Sequence, residues 1–270
     1  MDTRKNNEQI FLKEFILLKL SVSSMGTYDK CPKKYHYRYI EKPEVQAVKW
    51  GFTEFGSCAH LILELFHKAI LKRHIPKDKY PALMKWAFNK SLKKFDYDLL
   101  NELVWTPNGD RKGIAYLKDI MQEYLEKLKE EGMPNVVGVE VPYEFSANEG
   151  VKIRGFIDRI DKVDEGVYHV IDYKTSKNER YLDEVQLLVY ANAIHRKYPD
   201  CEKVIGSYMM LKHGFKEKKW TFDGLDIERC DKLIDNKASL IINEKDWVKK
   251  PTMLCTWCDY KNICQDSWTD

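Results

Sequence analysis

The sequence predicts a mixed α/β fold in which a helical half precedes a strand-rich core. Three observations carry this expectation. Apolar residues recur at helical spacing from about Thr53 to Glu131, with Leu61, Ile62, Leu65, Phe66 and Ala69 marking one face. The period then changes to two, as Val137, Val139, Val141 and Tyr143 alternate with Gly138, Glu140, Pro142 and Glu144. A helical pattern and an extended run then follow one another, as in a β-helix-β unit. The 270 residues are 44% hydrophobic and 32% charged, which argues against a largely disordered chain and fits one large domain or two small ones.

Residues 1–20 read as an amphipathic lead-in of no assigned type. The segment from Ser21 to Ile40 opens with SVSS, a cluster suited to a helix N-cap, and Pro32 falls at a kink or a helix boundary. Pro76, Pro81 and the TPNGD stretch at 106–110 divide the helical half into two or three helices, the last from about Gly113 to Glu130. The runs at 137–144, 152–163 and 167–175 are joined by the short Gly-bearing links ANEG and DEG, so they predict an antiparallel three-strand meander. A helix over Asp183–Lys197 buries Val185, Leu188, Val189 and Ala193, and a strand at 203–211 returns parallel. A helix from about Leu225 to Asn243 and a cysteine-bearing loop close the sequence. The core order is thus helix, three strands, helix, strand. The segments read as 21–60, a helical insertion at 64–131, a core at 136–212 and a carboxy-terminal part at 213–270, all within a single domain over 1–270.

Forty-five basic residues against 42 acidic ones leave a net charge of +3, so any basic surface must be local. The apolar stretch Phe15–Leu18 is bounded by Lys13, Glu14 and Lys19 and is too short to span a bilayer. MDTRKNNEQ lacks the basic-then-apolar order of a secretory signal. The expectation is a soluble cytoplasmic protein with no membrane partner.

Seven cysteines are an odd number for a disulfide framework. Cys255, Cys258 and Cys264 form C-x2-C-x5-C, and Cys31 stands alone in the basic, aromatic segment DKCPKKYHYRY. Cys58, Cys201 and Cys230 lie in apolar or helical contexts and read as ordinary buried thiols. Four thiolates suit a [4Fe–4S] cluster or a structural zinc. The three-plus-one spacing leans toward iron–sulfur, and such a site would tie the amino-terminal segment to the carboxy-terminal loop.

Asp158 lies in GFIDRID, and Asp172 and Lys174 lie in IDYKTS. Residues two apart on a strand share a face, so Asp172 and Lys174 project together. Pairing through the DEG turn would bring Asp158 close to Asp172. Clustered carboxylates repel unless a cation holds them, and hard oxygen ligands select Mg²⁺ or Mn²⁺. A lysine beside such an ion can orient an attacking water or offset phosphate charge. The bland alternative is an exposed strand face with an Asp172–Lys174 ion pair. Glu140 and Glu144 precede the core acids and could help with metal, but read first as solvated strand positions.

These pieces resemble the PD-(D/E)XK nuclease superfamily, and specifically its RecB-like exonuclease branch. SVSSMGTYDKCPKKYHYRYI resembles that branch's opening motif, GSCAH its histidine motif, and QLLVY its Q-x3-Y helix motif, while GFIDRID and IDYKTSK supply the acids and the D-x-K core. The four cysteines match the iron–sulfur version found in AddB-type nucleases and CRISPR-associated exonucleases. The resemblance implies a restriction-endonuclease-like core in which His60, Asp158, Asp172 and the backbone carbonyl of Tyr173 ligate the metal. It implies that Lys174 serves the water, that Gln186 and Tyr190 sit near the active centre and the DNA backbone, and that Cys31, Cys255, Cys258 and Cys264 hold a [4Fe–4S] cluster. His60 taken alone reads as a satisfied core histidine.

Lys30, Lys33, Lys34, His36 and Arg38 interleave with Tyr35, Tyr37 and Tyr39, so cations could neutralise phosphates while tyrosines stack on unpaired bases. Lys212, His213, Lys216, Lys218 and Lys219 form a second basic stretch. From these, Lys33, Lys34, Tyr35, Arg38, Lys212 and Lys216 are the expected DNA contacts. The reading that results is a metal-dependent DNA exonuclease or end-processing nuclease, acting on single strands or free ends, with a helicase or recombination partner. The rivals are a non-catalytic DNA-binding scaffold subunit of a helicase–nuclease complex and a redox sensor.

Overall fold

The computed structural model describes residues 18–148, 150–177, 179 and 182–264. Most of the lead-in expected over residues 1–20, and Glu149 in the ANEG link, lie outside them. β1 (Leu18–Leu20) leads into α1 (Val22–Lys30) through Ser21, whose hydroxyl accepts from Ser24 N while Ser24 Oγ caps Ser21 N. Cys31 is extended, and α2 (Pro32–Tyr35) follows with proline at its first position, where a missing N–H costs no helical bond. A π-turn over His36–Glu41 ends this segment at Lys42, whose φ is 51°.

The helical half is α3 (Gly51–Lys72), α4 (Tyr80–Leu92), the short α5 (Tyr97–Leu100) and α6 (Gly113–Glu131). The TPNGD stretch turns a small hairpin between β2 (Leu103–Val104) and β3 (Arg111–Lys112), with Thr106 Oγ1 donating to the carbonyl of Gly109 at 2.6 Å. Then come β4 (Val136–Asn148), β5 (Val151–Asp164), β6 (Val167–Lys174), α7 (Val185–Lys197), β7 (Lys203–Met210), β8 (Lys216–Phe222) and α8 (Gly224–Ile242).

The expected meander is present. β4 pairs antiparallel with β5, β5 antiparallel with β6, and β7 returns parallel to β6. Two strands extend the sheet beyond the sequence expectation. β8 pairs antiparallel with β7, so the basic stretch at 216–219 is backbone-paired rather than a loop. β1 pairs parallel with the start of β5, on the edge that β6 occupies further along.

The sheet is the middle of three layers. Tyr168 and Val170 of β6 join a cluster with Leu187 and Ile194 of α7, Ile234 of α8 and Met25 of α1. Ile171 and Tyr173 enter a second cluster with Phe55, Ile62 and Phe66 of α3 and Leu117, Ile120 and Tyr124 of α6. The helical insertion therefore covers the second face of the sheet. Burying both faces explains why β6 carries apolar residues on each, Tyr168 and Val170 on one and Ile171 and Tyr173 on the other. Close approach fixes α7: a Cβ at Gly206 in β7 would meet Leu187 Cβ at 2.9 Å. Among the described residues, no helix is long and apolar enough to cross a membrane.

Candidate active site

The meander brings its two acids together. β5 and β6 are in register at Arg159 and Ile171, so Asp158 lies across from Asp172. Asp158 Oδ2 accepts from the backbone N–H of Tyr173 at 2.8 Å. His60, on α3, reaches the same place: its Nδ1 lies 3.3 Å from Asp158 Oδ2 and its Nε2 lies 2.9 Å from the carbonyl oxygen of Tyr173. Burial alone would lower the pKa of His60, but the hydrogen bond and charge of Asp158, with Asp172 behind it, outweigh burial and raise it. His60 is thus a polar member of the site rather than a core histidine.

Glu140 corrects the sequence reading. It lies between the pairs Val139–Arg159 and Val141–Ile157, across from Asp158, just beyond a register shift in β4. Its φ of 50° is left-handed, a conformation that a glutamate adopts only where the surroundings compel it. Far from being solvated, it is half-buried, and one oxygen of its carboxylate comes within 4.8 Å of ligand atoms of both His60 and Asp158. Burial, then the charges of Asp158 and Glu64, push its carboxyl up to about 7. A single left-handed residue that re-aims one side chain leaves no trace in the alternating pattern. Glu144, by contrast, pairs with Lys152 at 2.8 Å on the surface, as expected.

Asp172 and Lys174 form the other half of the site. Asp172 is 4% exposed, with Oδ2 at 2.6 Å from Lys174 Nζ and Oδ1 accepting from the Tyr190 hydroxyl at 3.2 Å. Lys174 Nζ donates to Gln186 Oε1 at 3.0 Å, and Gln186 Nε2 donates to the Tyr190 hydroxyl at 2.7 Å. The four side chains close a ring. Gln186 and Tyr190 can take part because they stand one turn apart on α7. Burial raises the pKa of Asp172; Lys174 opposes that rise and the charge of Asp158 adds to it. The Asp172–Lys174 ion pair is real, but it is sunk into the sheet end instead of exposed. Of the expected metal ligands, His60, Asp158 and the Tyr173 carbonyl converge with Glu140, while Asp172 stands beside them with its oxygens engaged by Lys174 and Tyr190.

Lys174 and Gln186 also open onto a cavity of about 600 Å³. Cys31, Cys255, Cys258 and Cys264 all line it. Each is half-buried, and the Cys264 thiol is raised first by burial and then by Cys31 and Cys258, so the distant Cys31 does join the loop. Cys31 Sγ accepts from Lys34 N and Cys255 Sγ from Thr252 N, each at 3.4 Å. Cys58 and Cys230 are buried thiols as expected, while Cys201 is half-buried.

The expected DNA contacts divide. Lys34 and Arg38 line the cavity, joined by Lys30, Lys249, Lys250 and Lys261, of which only Lys30 belongs to a basic stretch noted in the sequence. Lys33 is half-buried, with its ammonium 4.7 Å from the Tyr37 ring. Tyr35 is 3% exposed and stacks on Trp247 at 5.9 Å, so it is core rather than a base-stacking platform. Lys212 is 7% exposed; its ammonium donates to the Trp105 carbonyl at 3.1 Å and lies over the Phe55 ring. Burial lowers its pKa to about 8, and it has no access to a phosphate. Lys216 is on the surface in β8, paired with Glu179 at 3.1 Å.

Comparison with known proteins agrees with this geometry. A family model described as the PD-(D/E)XK nuclease superfamily matches residues 19–265. Over 186 residues the chain is 26% identical to an ATP-dependent helicase/deoxyribonuclease subunit of Streptococcus agalactiae serotype Ia, covering 66% of this chain but 16% of that protein. It is 25% identical to the Gene 69 protein of Mycobacterium phage L5, covering 90% of this chain and 95% of that one. A solved structure from Eubacterium rectale, of a proposed exonuclease, aligns over 94% of this chain and 98% of its own with a TM-score of 0.50 and 12% identity, a likeness of fold.

Proposed function

The chain belongs to the PD-(D/E)XK nuclease superfamily, and from this we propose that it is a metal-dependent DNA exonuclease or end-processing nuclease of the RecB-like branch. The observation that carries the reading is the ring of Asp172, Lys174, Gln186 and Tyr190 standing beside the convergent donors of His60, Glu140 and Asp158. A nitrogen and two carboxylates within 4.8 Å fit a divalent cation, and Mg²⁺ or Mn²⁺ suits their hardness. His60, Glu140, Asp158 and the Tyr173 carbonyl would hold it, with Asp172 beside them as a further carboxylate.

Bound there, the cation would supply Lewis-acid charge to a phosphodiester oxygen and acidify the attacking water. The protein's own groups do the positioning. Lys174 offers an ammonium held between Asp172 and Gln186 and facing the cavity, where it can hold the attacking water or meet phosphate charge. Tyr190 and Gln186 keep the Asp172 carboxylate from rotating. The cations of the cavity wall suit a phosphodiester strand entering beside Lys174.

We assign the four cysteines to a structural [4Fe–4S] cluster. They share one cavity wall, and their three-plus-one spacing along the chain favours a multi-iron cluster over the paired ligands of a single zinc ion. Likeness to a helicase/deoxyribonuclease subunit supports a helicase partner.

The test uses anaerobically purified protein and end-labelled linear single- and double-stranded DNA, with Mg²⁺, Mn²⁺ or chelator, beside Lys174→Ala. Metal-dependent shortening from an end, lost in the variant, is expected. A folded, DNA-binding preparation that cuts nothing would favour a scaffold subunit. Iron analysis of wild type and Cys258→Ala tests the cluster; a wild type that carries zinc, or no metal, rules it out.

A further inference from the structure

Tyr173 is held at each of its polar atoms. Its N–H donates to Asp158 at 2.8 Å, its carbonyl meets His60 Nε2 at 2.9 Å, and its hydroxyl accepts from Arg159 Nη1 at 3.1 Å. The first two contacts belong to the proposed metal site. The third lies deeper under the same helical layer, where the Tyr173 phenol is buried against α3 and α6. There Arg159, 4% exposed, donates also to the Tyr124 hydroxyl of α6 at 2.8 Å and to Asp161 Oδ2 at 3.0 Å. His67 completes the group, with Nε2 2.7 Å from the Tyr124 hydroxyl. Burial holds this imidazole neutral, so Nε2 can accept the Tyr124 proton while that hydroxyl accepts from Arg159.

His60 and His67 are two turns apart on α3 and so share a face. That helix is thereby fastened to Tyr173 twice. His60 grips the backbone carbonyl directly, and His67 grips the phenol through Tyr124 and Arg159. A guanidinium is a planar fork with fixed donor directions, so it orients its partners in a way an apolar filler cannot. A buried ion pair of this kind adds little net stability over apolar packing, which leaves geometry as the stronger reason for its presence.

We propose that Arg159 is a positioning residue for the metal site: with Tyr124 and His67 it fixes the Tyr173 phenol, and so sets the Tyr173 carbonyl and the His60 imidazole at the separation a divalent cation requires. The proposal rests on the metal-site reading above. Partners one step behind metal ligands typically alter affinity by about 10- to 100-fold.

The experiment measures Mn²⁺ binding directly, by calorimetry and by electron paramagnetic resonance, on the full chain. The proteins are wild type, Tyr173→Phe, Tyr124→Phe, Arg159→Lys and Asp158→Asn, each with its metal-free melting midpoint. The two Phe variants keep ring packing, so either can carry the test if the other fails to fold. Expected is an Mn²⁺ Kd raised about tenfold or more in the Phe variants and in Arg159→Lys, with a changed resonance line shape and a metal-free midpoint near wild type. Wild-type Mn²⁺ affinity in the folded Phe variants, alongside lost binding in Asp158→Asn, would overturn the positioning role and leave the metal site standing. Affinity lost only in step with the melting midpoint would reduce Arg159 to a structural part. A wild type that binds no Mn²⁺, or an Asp158→Asn variant that binds it equally well, would remove the metal-site reading and this inference with it.

Discussion

Asp172 and Tyr173 are neighbours in β6 and are equally buried, at 4% and 3% exposure, yet they look into different halves of the molecule. Asp172 points with Lys174 toward α7, into a ring that opens on the cavity. Tyr173 points toward α3 and α6, into a group whose hydrogen-bond partners are all other buried side chains. On the first side a polar group can exchange a protein partner for a ligand. On the second side there is nothing to exchange with. Strand alternation thus lets one short sequence, IDYK, carry reactive groups on one face and their fastening on the other.

Four measurements can break or sharpen this contrast. Asp172→Asn should have the largest effect on turnover, lowering cleavage on the order of a thousandfold while the circular dichroism spectrum and melting midpoint stay near wild type. Arg159→Met should cost stability as well as Mn²⁺ affinity, about 3–5 kcal/mol in denaturant unfolding, because Asp161 is left buried and unpaired. If both variants lost stability alike, the faces would not differ in kind.

Glu140→Gln should weaken Mg²⁺ activation about tenfold and should also change a pH profile. The Glu140 carboxyl is raised from 4.5 to about 7 in the folded protein. The folded state therefore binds more protons than the unfolded state between those values, and the stability of the metal-free protein falls as pH rises through that window. The variant should flatten this slope. Metal affinity should rise over the same window in wild type as the proton leaves. The smallest effect distinguishes the two basic stretches. Lys34→Ala with Arg38→Ala should reduce the salt dependence of DNA binding by about two phosphate contacts. Lys212→Met, which removes a buried ammonium, should leave DNA affinity unchanged and stability within about 1 kcal/mol.

Much of the fold was legible because its signals are local. Alternation marked the meander, capping and apolar spacing marked the helices, and the D-x-K and Q-x3-Y spacings put the ring residues on shared faces. What stayed hidden depends on distant partners. β8 reads as a charged surface run, because KEKKW gains its strand character only from pairing with β7. β1 is three residues long and is defined by the start of β5. The alternating lysines and tyrosines of 33–39 suggested base stacking, yet in a helical and π-turn backbone Tyr35 and Tyr37 fall inward. Glu140 owes its place to a backbone irregularity. His67, Tyr124, Arg159 and Tyr173 come from four separate elements, and no spacing rule relates them.

The cysteines have a consequence in time as well as space. Cys31 lies near the start of the described residues and Cys264 at their end, yet both face one cavity. During synthesis the sheet and the helical layer can assemble around residues already made, while the fourth thiol is still to come. The proposed cluster can therefore close only after Cys264 has been made, on a chain whose sheet can already be formed. A pulse of labelled iron given to cells should accordingly mark chains that include Cys264 and pass over those that stop short of it.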